Sequence, residues 1–121
     1  MPPIQDLPVL DVTVVQSLRE LGGEDDPNLF RDLIELFVTD ARANVDRLRD
    51  AFERQDVNAV YRVAHAIKSS AANVGAARMS KLCFEIEKLG REGVLAGAGE
   101  LVTQVRQQFE EVSAALRAVE G

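Results

Sequence analysis

Apolar residues recur at steps of three and four along most of the chain, and no segment alternates apolar and polar residues as a strand does. This spacing predicts helices with one buried face. Four long stretches carry such a stripe, represented by Phe37, Ala41 and Val45, by Val60, Ala64 and Ile67, by Met79, Leu82 and Ile86, and by Val105, Phe109 and Val112. An antiparallel four-helix bundle buries all four stripes against one another.

Capping residues and glycines mark the ends of the first two helices. Asp11 is the predicted cap of a short additional N-terminal helix that ends at Leu21, just before a pair of glycines. Asp26 followed by Pro27 predicts the start of the second helix, because proline is favoured at the first helical position. The apolar stripe of the second helix ends near Arg54.

The last three helices are bounded in the same way. Asp56 is the predicted cap of the third helix, and Gly75 is its predicted end. The fourth helix is predicted from about Ala76 to Leu89, with Gly90 as its stop. The apolar stripe of the last helix, at Val105, Phe109 and Val112, is short for a coiled-coil seam and favours packing against the other helices. The expected fold class is therefore all-α.

Length and composition fit one folded domain. The chain has 121 residues, of which 46% are hydrophobic and 28% charged, an ordinary balance for a globular protein. We expect a single domain over residues 1–121, with a core at about 9–119 and a flexible N-terminal segment at 1–8.

The same totals disfavour several classes of protein. No apolar run approaches the roughly 18 residues of a membrane-spanning helix, and the N-terminus lacks the basic region of a secretory signal. The cytoplasm is therefore the expected location. With one cysteine, Cys83, and one histidine, His65, the chain can form no intramolecular disulfide and lacks the ligands of a usual zinc site.

Charge is unevenly distributed along the chain. The net charge of −6 argues against a nucleic-acid partner. Residues 57–84, however, contain no acidic side chain, and their cations are Arg62, Lys68, Arg78 and Lys81. This segment predicts a local positive field around His65, suited to an acidic partner or a phosphoryl group.

His65 is predicted to lie on an exposed face of the third helix. At about 100° per residue, it falls about 140° around the helix from the buried stripe. A lone surface histidine usually has no special role, but here its neighbours are short rather than long polar side chains. These small residues, which leave the imidazole uncovered, are Ser69, Ser70, Ala72, Asn73, Ala76 and Ala77.

An exposed histidine of this kind is better suited to accepting a phosphoryl group than to hydrolytic catalysis. Hydrolytic catalysis needs a nucleophile with a base and an orienting acid, and the segment around His65 offers no acid. A neutral imidazole can itself accept a phosphoryl group on one ring nitrogen. Lys68, about one helical turn away, would partly neutralise the charge of that group. The sequence therefore fits a phosphoryl carrier.

The residues around His65 resemble the signature of the histidine-containing phosphotransfer (HPt) domain. The run HAIKSS from His65 to Ser70, followed by Val-Gly-Ala at 74–76, is similar to the family pattern H-x-aliphatic-K-G-S-S and aliphatic-Gly-Ala. The stretches LGGEDDPNLFRDLIELF and LCFEIEKLGR also resemble the second-helix entry and the fourth helix, so the resemblance covers about residues 9–119. Ser69 stands where the family usually has glycine, and Ala71 replaces its second serine.

The resemblance implies a four-helix bundle that carries phosphoryl groups without a kinase or ATP site of its own. His65 would exchange them with the aspartate of response-regulator receiver domains, and Lys68 would stabilise the phosphate charge. A hybrid sensor histidine kinase is the other implied partner, and the chain would act as a monomer. It implies no intrinsic cofactor, and a divalent cation such as Mg would come from the partner receiver domain. The residues expected to contact a partner are Tyr61, Arg62, Ser69, Ala72, Asn73, Gly75, Ala76 and Arg91.

A histidine kinase is one alternative to a phosphoryl carrier. A histidine-kinase dimerisation helix usually has an acidic residue directly after its histidine and a proline one turn later. Here Ala66 follows, and no proline occurs after Pro27. The remaining alternative is a catalytically silent helical-bundle interaction module that binds a receiver or another signalling protein without being phosphorylated.

Overall fold

The computed structural model describes residues 3–120, in which every regular element is helical. A single 3-10 turn precedes five α-helices. None of the described helices combines the length and apolar character needed to cross a membrane. The elements are the 3-10 turn Ile4–Asp6, α1 (Val12–Leu21), α2 (Leu29–Glu53), α3 (Val57–Asn73), α4 (Ala77–Glu92) and α5 (Ala98–Glu120).

Helices α2 to α5 form a closed four-helix bundle. Helix α3 packs against α2 and α4, and α5 packs against the same two helices. Because only residues 54–56, 74–76 and 93–97 connect them, consecutive helices run antiparallel. The largest buried side chains come from the predicted stripes and the positions beside them, and are Ile34, Leu48, Ile67, Met79, Leu82, Ile86, Phe109 and Leu116. The predicted fold class is confirmed.

The predicted aspartate caps are present at the start of α1 and α3. The carboxylate of Asp11 accepts a hydrogen bond from the backbone N–H of Thr13 at 2.9 Å, and that of Asp56 accepts one from Ala59 at 3.1 Å. The predicted start of α2 is wrong. The Asp26 carbonyl accepts a hydrogen bond from the N–H of Leu29 at 3.2 Å, so a tight turn comes first and α2 begins at Leu29.

The predicted end of α4 is also wrong, because Gly90 lies inside the helix. The helix continues to Glu92 and ends at Gly93, which has the left-handed φ of 75° that glycine adopts readily. Gly90 has a different role. A Cβ atom there would lie 3.1 Å from the Tyr61 Cβ and 3.2 Å from its backbone nitrogen, so the glycine allows α4 to approach α3 closely.

The segment before α1, for which the sequence predicts flexibility, is held by Arg78 in the residues described. The Arg78 guanidinium donates hydrogen bonds to the carbonyls of Leu7 and Gln5, and its backbone N–H donates to the carbonyl of Pro8. Residues 1 and 2, and residue 121 at the other end of the predicted domain, lie outside the described part of the chain.

We expect Gly90→Ala to destabilise the fold, although alanine is normally the better helix former by about 1 kcal/mol. The new methyl group would press on the Tyr61 backbone, which cannot move aside, and overpacking of this kind costs about 1–3 kcal/mol. The measurement is urea unfolding followed by far-UV circular dichroism.

Gly99→Ala is the matched control for this prediction. A methyl group at Gly99 would meet only the far end of the Phe52 ring, at 3.2 Å, and that ring can shift. This variant should be neutral or more stable than the wild type by up to about 1 kcal/mol. A gain in stability for both variants would contradict the close approach of α4 to α3.

Candidate functional site

His65 lies on α3 with its side chain directed away from the core. The side chain is 56% exposed, whereas Ala64 and Ile67, on the inner face of the same helix, are fully buried. The position agrees with the angle expected from helical geometry. The ring is therefore open to solvent or to a partner.

A buried carboxylate, Glu87 on α4, lies beneath the histidine. Its side chain is only 3% exposed, yet it contacts three other charged or titratable groups. One oxygen, Oε1, is 3.2 Å from His65 Nδ1 and accepts a hydrogen bond from Arg91 at 3.2 Å. The other oxygen, Oε2, is 2.7 Å from the ammonium nitrogen of Lys68. These four side chains are called the Glu87 cluster below.

The expectation that the surroundings of His65 are free of acidic side chains is wrong, because Glu87 contacts the imidazole. That expectation came from residues 57–84, whereas Glu87 lies just beyond this segment and reaches His65 through the packing of α3 on α4. Lys68 is consequently paired with a carboxylate rather than standing alone. A signal was present in the sequence, since Glu87 falls one turn after Cys83 on the apolar stripe, where a carboxylate needs a buried partner.

The ionised form of Glu87 is favoured by its neighbours. Burial alone would raise the pKa of Glu87, but the contact with Lys68 and the hydrogen bond with His65 outweigh it and hold the pKa below the usual 4.5. An ionised carboxylate can only accept hydrogen bonds. The proton of a neutral imidazole must therefore be on Nδ1, which leaves the lone pair on Nε2.

Aromatic and cationic side chains further restrict the imidazole. The Tyr61 ring stacks beside the His65 ring with centroids 6.4 Å apart and an interplanar angle of 17°. The Arg91 guanidinium lies 5.8 Å from the Tyr61 ring centroid, so Arg91 contacts both Tyr61 and Glu87. Arg62 is exposed one turn before His65. The structure thus brings Tyr61 and Arg91, both predicted from sequence, to the histidine.

The small residues near His65 divide into two groups. Ser69, Ala72 and Asn73 are exposed and form a low surface after the histidine, as predicted. Gly75 and Ala76, which are also expected to contact a partner, are buried, although Gly75 lines a groove that opens at the surface. They also shape the turn after α3, since the Gly75 carbonyl accepts a hydrogen bond from the backbone N–H of Asp11 at 2.7 Å and Ala76 lies in the core.

The arrangement fits a nucleophile rather than a metal centre. Residues 3–120 contain no group of three or more His, Cys, Asp and Glu side chains placed to hold a metal ion. His65 instead offers one free ring nitrogen, a fixed ring orientation and two cations within the same cluster. Such a site can accept and release a group that carries negative charge.

Comparisons with known proteins agree with this geometry. The Hpt domain family model matches residues 32–115. Multistep phosphorelay regulator 1 of Schizosaccharomyces pombe is 27% identical over 96 residues, which make up 76% of this chain and 32% of that protein. The chain thus spans about a third of the length of this curated relative.

Solved structures share the fold. Histidine-containing phosphotransfer protein B of Pseudomonas aeruginosa is 30% identical and superposes with a TM-score of 0.84 over 93% of this chain and 95% of its own. A structure from rice, 22% identical, superposes with a TM-score of 0.78 over 90% of this chain and 79% of its own, and supports the fold alone.

We expect Glu87→Gln to lower the free energy of unfolding at pH 7 by about 1–3 kcal/mol, the range of hydrogen bonds to charged groups. Because the folded-state pKa of Glu87 is lowered, the contribution of its ionised form is present above the unfolded value near 4.5 and is lost as the pH falls through the folded value. The difference between wild type and variant should therefore shrink at a pH of about 3. Urea unfolding at both pH values measures it.

Glu85→Gln is the control, since Glu85 pairs with Lys81 and Lys88 on the same helix but is 31% exposed. This partly solvated carboxylate should contribute under about 1 kcal/mol. If the Glu87 variant is no less stable than the Glu85 variant at pH 7, the Glu87 cluster does not stabilise the fold.

Proposed function

The chain belongs to the Hpt domain family, and from this premise we propose that it carries phosphoryl groups in a phosphorelay on Nε2 of His65. Proteins of this family are carriers rather than kinases, and the proposal gives the chain no kinase activity and no ATP site of its own. The observation that supports it most is the hydrogen bond between Nδ1 and the buried Glu87 carboxylate, which leaves the Nε2 lone pair free on an exposed ring.

The proposed step is an in-line exchange with a receiver-domain acyl phosphate. The Nε2 lone pair attacks phosphorus and forms a P–N bond, while the bond from phosphorus to the aspartate oxygen breaks and the carboxylate leaves. No proton has to move, because Nδ1 keeps its hydrogen on Glu87 throughout. The same step run backwards returns the group to an aspartate.

The Glu87 cluster contains groups that stabilise both the positive charge of the phosphorylated imidazole and the negative charge of the phosphoryl oxygens. The phosphorylated imidazole would be cationic, and the Glu87 carboxylate 3.2 Å from Nδ1 stabilises that charge. The phosphoryl oxygens are anionic, and Lys68 and Arg91 are cations of the same cluster. Lys68 is thereby the residue proposed to stabilise the phosphate.

The proposed partners are response-regulator receiver domains and a hybrid sensor histidine kinase. They would approach across the low surface formed by Ser69, Ala72 and Asn73, flanked by Tyr61 and Arg62. The receiver would supply a divalent cation such as Mg²⁺, and the chain is proposed to act as a monomer with no nucleic-acid or membrane partner. A cytoplasmic location is proposed.

We expect His65→Gln to abolish phosphoryl transfer without changing helical content, because the side chain is exposed. In the wild type, incubation with phosphorylated receivers or phosphoramidate should produce an acid-labile, base-stable label. Radiolabelling with acid and base treatment measures it, and circular dichroism serves as the folding control. Acid-labile label on the folded variant would contradict the proposed acceptor, and unlabelled wild type would favour a silent interaction module.

We expect Ser69→Arg to obstruct transfer from a receiver, because Ser69 lies on the surface that a partner must cover to reach His65. In-line transfer needs reacting atoms about 3–3.5 Å apart, and an arginine would hold the partner further away. Ser69→Gly should keep or modestly raise the transfer rate and lower stability by under about 1 kcal/mol. Rapid transfer by folded Ser69→Arg would mean that the partner docks elsewhere.

A further inference from the structure

A groove bordered by α1, α3 and α4 opens beside the Glu87 cluster. It is a cavity of about 450 Å³, which falls within the usual size of ligand pockets. Its apolar lining consists of Leu7, Val14, Ala72, Gly75, Ala77 and Phe84. Lys68 belongs to both the groove and the cluster, so the groove begins where the proposed phosphoryl site ends.

The polar side chains that line the groove have partners within the chain, and its two lysines each pair with one carboxylate, Lys68 with Glu87 at 2.7 Å and Lys81 with Glu85 at 3.3 Å. The Ser80 hydroxyl donates a hydrogen bond to the Lys68 carbonyl at 3.1 Å, and the Asp11 carboxylate caps α1. The two ammonium groups that line the groove, those of Lys68 and Lys81, each carry three donors. An occupant therefore gains by being apolar in its body and anionic at its edge.

Lys81 is held in a way that suits this role. Its side chain is 18% exposed, its ammonium lies 4.4 Å from the Phe84 ring centroid, and it is 3.3 Å from a Glu85 oxygen. Lys88 shares the same two contacts, at 5.6 Å from the ring and 3.6 Å from the other Glu85 oxygen. Two lysines on one carboxylate leave an excess positive charge at this edge. Of the pair, Lys81 lines the groove.

We infer that the groove receives an apolar side chain of the receiver domain, with Lys81 pairing to a carboxylate beside it. The inference rests on the proposed function and adds to it a specificity-determining residue that takes no part in the chemistry at His65. The proposed partner carries an anionic phosphoryl group, and the groove complements an acidic surface in charge and adjoins His65 through Lys68. Receivers with an apolar side chain next to an acidic one on the docking surface should therefore be preferred.

The test compares Lys81→Gln with the matched control Lys88→Gln. The probe is an isolated receiver domain phosphorylated by acetyl phosphate, chosen from a panel as the fastest to exchange with wild type. Each transfer rate is divided by the rate of phosphoramidate labelling of the same variant, which removes effects on the imidazole itself. At low salt Lys81→Gln should slow transfer about three- to tenfold, and Lys88→Gln by less than about twofold. The difference between the transfer rates of the two variants should become smaller at high salt.

Ala77→Leu tests the shape of the groove independently of charge. Ala77 is half-buried at the start of α4, and a larger side chain there should fill the cavity and slow transfer about tenfold at every salt concentration. Thermal melts of all three variants control for folding. Lys81→Arg should restore most of the rate lost in Lys81→Gln, because it restores the charge.

Several outcomes would overturn the inference. Equal rates for the Lys81 and Lys88 variants would remove the role of Lys81, and normal transfer by folded Ala77→Leu would show that the groove stays empty during docking. A wild-type dimer in sedimentation that Ala77→Leu dissociates would assign the groove to a second copy of the chain. Phosphoramidate labelling without exchange with any receiver would refute the proposed function itself, and the inference with it.

Discussion

The structure depends on a buried carboxylate, Glu87, that must keep its partners. An ionised glutamate at 3% exposure costs several kcal/mol unless cations and hydrogen-bond donors compensate it. The groups that compensate the carboxylate are His65 and Lys68 on α3 and Arg91 on α4. The contact is possible because Gly90 lets the two helices approach closely. One interaction therefore fixes the packing of α3 on α4 and the orientation of the imidazole.

The same interaction makes the site rigid beneath the histidine and open above it. The ring is held at Nδ1 and flanked by Tyr61, while more than half of the side chain remains exposed. A nucleophile that is already oriented loses little entropy when a partner docks. Small exposed residues, Ser69 and Ala72, keep the approach unobstructed. Rigidity comes from the core, and access comes from the surface.

The sequence predicts those features that depend on local spacing. The four stripes, the caps at Asp11 and Asp56 and the exposed position of His65 follow from helical periodicity and backbone hydrogen bonding. The contact between His65 and Glu87 joins residues 22 apart on different helices, and periodicity within one helix cannot show it. The role of Gly90 cannot be predicted from the sequence for a related reason. A glycine that ends a helix and one that admits a neighbouring helix look alike until the Tyr61 backbone is seen against it.

Chemistry and recognition occupy adjoining parts of the surface, and Lys68 belongs to both. Its ammonium pairs with Glu87, while its side chain lines the groove that continues to Lys81. A change at Glu87 therefore alters the packing of α3 on α4, the imidazole and the cations near it together. A change at Lys81 leaves the contacts of Glu87 in place, because Lys81 pairs with Glu85 and Glu87 pairs with Lys68. The groove is thus the place where partner preference can vary while the phosphoryl site stays intact.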